Sequence, residues 1–183
     1  MNGVPMARAL PVALAESATD RLAALFDAHD DRLYRLARRL APSADAARDL
    51  VQETFLKAAR SAARIPSGAR DEEAWLVRVL INIQRDEWRK SAVRRRIAPS
   101  EPAAASGHED AIVARATVWR ALDALTPRRR AILVMHELDG MSVADVAALL
   151  GVTAVTVRWH LSRGRRELAR ILGVSQGEHH EDC

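Results

Sequence analysis

The stretch SVADVAALLGVTAVTVRWHLSRGRREL, residues 142–168, decides how the rest of the chain is read. Ser142 followed by Asp145 resembles a capping box with Asp in place of Glu, so an amphipathic helix is expected to start there. Gly151 breaks that helix, and a second one is expected from Thr153. Ala147, four residues before the turn glycine, leaves room for the two helices to pack closely. Val157 and Leu161 then point back at the first helix, and Leu168 continues the same face. What remains is unusual: Val155, Arg158, Trp159, Ser162, Arg163 and Arg166 share the opposite face, mixed in character, basic and turned to solvent. Helix, glycine turn and second helix in this spacing form a helix-turn-helix.

Such a face suits duplex DNA. Thr153 and Thr156 lie at the positive amino end of the second helix, where hydroxyls reach phosphate oxygens. Arg158 and Arg163 are long forked donors able to read guanine edges in a major groove. Trp159 is a liability in a lone domain unless something covers it.

Outward from this motif, the 183-residue chain combines 49% hydrophobic residues with only 4% aromatics. It is rich in Ala, Leu and Arg and poor in Gly and Pro, a composition that favours helices. No apolar run approaches the roughly 20 residues of a membrane span, so no membrane insertion is expected. The single Cys183 forms no intrachain disulfide and fits a reducing cytoplasm. Net charge is +4, but its distribution says more. Residues 1–96 carry 18 Lys/Arg against 13 Asp/Glu, and residues 115–172 carry 10 against 5, whereas 97–114 and 173–183 hold three acids each and no Lys or Arg. Two basic bodies joined by an acidic connector are the footprint of a polyanion binder with two contact zones.

The expected architecture is therefore all-α, with two small helical domains on a flexible linker. Residues 1–18 are expected to be a disordered start, and 19–96 the first domain. The segment 97–110, IAPSEPAAASGHED, interrupts any helical period and is expected to be a linker. Residues 111–172 form the second domain, which contains the helix-turn-helix, and 173–183 a solvated tail despite the His, Asp and Cys in HHEDC. In the first domain Thr19 or Asp20 is expected to cap a helix whose Leu22, Leu25, Phe26, Leu33, Leu36 and Leu40 face a core. Ser43 caps a second helix with Ala47, Leu50, Val51, Thr54, Phe55 and Ala58 inside. Asp71 is expected to cap a third. In the second domain Thr126-Pro127 opens a helix through Leu138.

Two further surfaces stand out. On the third helix Arg78, Asn82, Arg85 and Arg89 fall at i, i+4, i+7 and i+11, one straight stripe, with Trp75 and Trp88 beside it and Ile65 in the preceding loop. Arginines with aromatic neighbours suit contact with backbone and unpaired bases. On the second helix Asp45, Asp49 and Glu53 recur every four residues with Gln52 beside them, an arrangement that repels itself and that a basic partner relieves. No phosphate-cradling glycine loop, HExxH or cysteine cluster is present, so no catalytic residue, metal or cofactor is expected.

With these pieces in this order, the chain resembles the extracytoplasmic-function (ECF) sigma factors, promoter-specificity subunits of bacterial RNA polymerase. DAARDLVQETFLKAAR (45–60) is similar to the family's core-polymerase-binding helix, WLVRVLINIQRDEWRK (75–90) to its minus-10 helix, and 125–168 to its minus-35 domain. The resemblance implies that Asp45, Asp49, Gln52 and Glu53 dock on the clamp helices of the largest polymerase subunit. It implies that loop 61–73 captures a flipped base with Asn82 nearby, an extraction costing a few kcal/mol that the pocket must offset. It also implies an anti-sigma partner. Many relatives carry an aromatic residue in the capture loop, where this chain has Ile65, and Trp159 and Ser162 depart from the family as well. Two rivals share the helix-turn-helix. An autonomous repressor or activator would bind duplex DNA without polymerase. A recombinase would need a nucleophile, and the only tyrosine, Tyr34, sits on a core-like helix.

Overall fold

The computed structural model describes residues 12–97 and 110–173, and every described element is helical. α1 (Val12–Leu40), α2 (Ala44–Arg60) and α3 (Ala69–Ile97) form one lobe. α4 (Asp110–Ala124), α5 (Pro127–Leu133, extended by a widened turn through Leu138), α6 (Val143–Leu150) and α7 (Ala154–Leu172) form the other. The connector 98–109, the residues before Val12 and the tail beyond Gly173 lie outside the described residues.

Local chemistry sets most boundaries. The Ser43 hydroxyl accepts from the Ala46 N–H and starts α2. Ser142 does the same for α6 through the Asp145 N–H, although Asp145 does not reach back as a full capping box would. Instead the Ser142 hydroxyl donates to the Asp145 carboxylate at 2.6 Å. Gly151 ends α6 with φ +64°, a left-handed conformation natural to glycine, and its N–H closes on Ala147 and Ala148 carbonyls.

Two expected caps are not used. α1 starts at Val12, ahead of Thr19 and Asp20, because the alanine-rich run before them is itself helical. α3 starts at Ala69, where the Gly68 carbonyl accepts from both Asp71 and Glu72, so Asp71 lies inside the first turn. Phe26, expected in the core, is 46% exposed and tilts against Phe55 on the outer side of the α1–α2 seam.

The larger departure concerns the lobes, which pack against each other. α3 carries apolar residues on more than one face: Leu76, Val77, Leu80, Ile81 and Ile83 are all buried. α1 and α2 cover part of this surface, and α5 and α6 cover the rest, giving one connected cluster of buried side chains. Polar ties stitch the seam. Arg130 of α5 donates to the Leu40 carbonyl at the end of α1 at 3.2 Å and to Asp123 at 2.7 Å, and lies over the Trp119 ring. Burial pushes its guanidinium below the ordinary range, with Asp123 opposing that shift. Arg39 pairs with Asp139 across the seam.

Candidate nucleic-acid interface

α7 is laid down as an amphipathic helix with a sharp division. Val157 and Leu161 are buried, and Gly164 lets α5 approach. Arg158, Trp159, Ser162, Arg163 and Arg166 are exposed, as is Val155. All six residues expected on the outward face are therefore there, and together. Thr153 caps the helix by accepting from the Thr156 N–H, and the two hydroxyls are bonded to each other at 2.9 Å. Two guanidinium groups lie near the Trp159 ring, that of Arg129 at 6.0 Å and that of Arg163 at 5.9 Å from its centre. Arg129 is itself nearly buried and paired with Glu167. Behind the face, burial and the Arg129 and Arg128 charges lower the His160 pKa below its ordinary 6.5.

The α3 stripe is only partly presented. Asn82, Arg85 and Arg89 are exposed, with Asp86 3.9 Å from Arg85. Arg78 is not part of this open surface: it is half-buried in the seam, where its guanidinium donates to the Leu149 carbonyl at 3.2 Å. The reason is electrostatic, since the carbonyls at the end of α6 carry the negative end of its dipole. Trp75 and Trp88 are half-buried, Trp75 against the core. Ile65 is a second correction. It is 6% exposed and belongs to the core, pulled in by the tight turn Ala62–Arg64. Arg21 of α1 donates to the Ile65 and Pro66 carbonyls and so fixes that loop. Arg64, Ser67, Arg70 and Asp71 are the polar residues of 61–73 left exposed.

The acidic residues of α2 form a ridge between two depressions. Asp49 and Glu53 line an open cleft of about 900 Å³ that also reaches Trp88 and Lys90. Gln52 faces the other side, toward Phe26, Tyr34, Phe55 and Leu56. Asp45 pairs with Arg48 at 2.8 Å. Phe26 and Leu56 are surface groups that the core pattern does not mark as such. Their signal was an apolar residue just beyond the width of a single core stripe.

Residues 25–94 match the sigma-70 region 2 family and residues 115–168 the sigma-70 region 4 family. A curated relative, the ECF RNA polymerase sigma factor SigM of Mycobacterium tuberculosis, is 36% identical over 162 residues, covering 87% of this chain and 82% of its own. The chain belongs to the ECF sigma factors. It is similar as well to the sigma factor SigE of Mycolicibacterium smegmatis, 34% identical over 82% of this chain, of whose length it spans 61%. Among solved structures it is similar to the Bartonella quintana sigma factor RpoE in complex with the anti-sigma factor NepR, with a TM-score of 0.54, 25% identity, and coverage of 88% of this chain and 99% of that one. A sigma factor is a non-catalytic subunit that gives polymerase its promoter specificity. No single described helix of this sigma factor is long and apolar enough to cross a membrane.

Proposed function

We propose that this sigma factor binds core polymerase through the α2 ridge, reads the minus-35 element with α7, and reads and opens the minus-10 element with α3 and the loop before it. The observation that carries the reading is the division of α7: five polar or aromatic groups exposed on one side, two aliphatic groups buried on the other. A helix fits the major groove, and its amino end attracts phosphate. Asp49 and Glu53 suit a basic partner surface, the role assigned to the clamp helices of the largest subunit. With Ile65 in the core, capture of a flipped base falls to the exposed neighbours of that loop and to Asn82.

The two promoter elements lie about two helical turns apart, roughly 70 Å. Lobes in contact cannot reach both, so the packed form is a closed one and function requires opening. The connector, stretched to about 40–43 Å, adds to the widths of the lobes to cover the distance. The relative RpoE was solved with an anti-sigma factor. A partner of that kind, stabilising the closed packing in the cytoplasm, would keep α3 and α7 from engaging one promoter together. Run-off transcription on host genomic DNA tests the reading: defined start sites are expected when this chain is added to core polymerase. Initiation no better than with core enzyme alone overturns it.

A further inference from the structure

The face of α7 contains a feature that guanine readout and phosphate binding leave unexplained. Val155 and Trp159, four residues apart and therefore stacked along one side of the helix, are 70% and 54% exposed. They sit among Thr156, Arg158 and Arg163, the polar groups expected to meet DNA. Val155 offers no hydrogen bond at all, and Trp159 offers one donor and a large apolar surface. The Trp159 ring does not hang free in solvent. Arg163 and Arg129 approach it, and Arg129 is anchored by Glu167. A cation-flanked, preorganised apolar stripe on a helix that enters a major groove has one chemical counterpart there, the C5 methyl group of a pyrimidine.

We infer that Val155 and Trp159 read C5 methyl groups in the upstream element, those of thymine in unmodified DNA. The inference rests on the proposed reading of α7 as the minus-35 helix. Arg163, held near the Trp159 ring, then meets a base edge next to the methyl, so the stripe sets which pyrimidine flanks the contacted guanine. Surrounding positive charge supplies the attraction to DNA, and the apolar stripe supplies discrimination between bases.

The test starts from a promoter located by the run-off experiment. Its upstream element is resynthesised with deoxyuridine at each thymine, which removes only the methyl, and separately with 5-methylcytosine at each cytosine. Binding by polymerase carrying the full-length chain is measured on each duplex. At one thymine or more, deoxyuridine is expected to weaken binding about fourfold, the factor that burying one methyl corresponds to. The difference is expected to vanish with Trp159→Ala and to shrink with Val155→Thr. Both sites are exposed, so neither change threatens the fold. A gain confined to 5-methylcytosine, and lost in Trp159→Ala, supports the same methyl readout with the modified base as its source. Equal binding to all duplexes, or a methyl effect that survives Trp159→Ala, overturns the inference while leaving the sigma reading standing. Absence of any start site overturns the sigma reading itself, and the inference falls with it.

Discussion

Gly164 is the residue on which the α5–α7 packing turns. A Cβ there would lie 2.6 Å from the Leu133 methyl and 3.0 Å from the Arg129 side chain. Leu133 is buried, and Arg129 is tied to Glu167, so neither yields easily. Overpacking of this kind costs about 1–3 kcal/mol, against a gain of up to about 1 kcal/mol in helix propensity. Gly164→Ala is therefore expected to lower stability by about 1 kcal/mol, read from thermal or urea unfolding. His160 acts through pH. Above its ordinary 6.5 both states hold a neutral ring. Below it the unfolded chain takes up a proton that the folded chain resists, so stability falls as pH drops from 6.5 toward the lowered value and then levels. His160→Gln is expected to flatten that part of the Tm-versus-pH curve, and an unchanged acid limb would disprove it. On the outward side, Arg158→Ala and Arg163→Ala are each expected to weaken upstream binding by about 1–3 kcal/mol if the contact is a bidentate base pair. Promoter footprints indistinguishable from the parent would remove both residues from the reading surface.

At the level of elements, the caps show what sequence patterns can and cannot reveal. Ser142 and Ser43 are local signals, since each side chain closes on a backbone N–H three residues away, and such geometry is written in short spacing alone. Ser142→Ala is expected to cost about 1 kcal/mol, with the loss concentrated in α6. Hydrogen exchange should therefore rise in residues 143–150 before it rises in α3. Ile65 was less legible. A lone aliphatic residue in a loop reads equally well as surface or plug, and the decision is made by Arg21, 44 positions earlier, which donates to its carbonyl. Phe26 erred in the other direction. It continues the heptad-like spacing of α1, but the stripe that α2 and α3 cover is narrower than the stripe of apolar residues. The divided face of α7 was fully legible, because a helix of this length exposes its period directly.

For the molecule as a whole, the two-lobed helical architecture was readable from charge and periodicity, but the contact between lobes was not. Nothing local marks Arg78 as a partner for Leu149, 71 residues away, or Arg39 as a partner for Asp139. The surplus apolar surface of α3 was the available clue. Arg39→Ala combined with Arg78→Ala is expected to loosen the seam, increasing the radius of gyration measured by small-angle scattering. Exposed and half-exposed pairs are worth only about 0.2–1 kcal/mol each, so the shift should be partial and larger at low salt. An unchanged scattering profile would show that apolar packing alone holds the lobes. The seat of Arg78 has a corollary for binding. Apparent affinity scales with the fraction of molecules in the competent shape, so a chain open one time in a hundred grips promoter DNA about a hundredfold more weakly than its intrinsic affinity. Polymerase that has already drawn the lobes apart abolishes that handicap. Order of assembly, enzyme first and template second, would then be imposed by how this polypeptide folds upon itself.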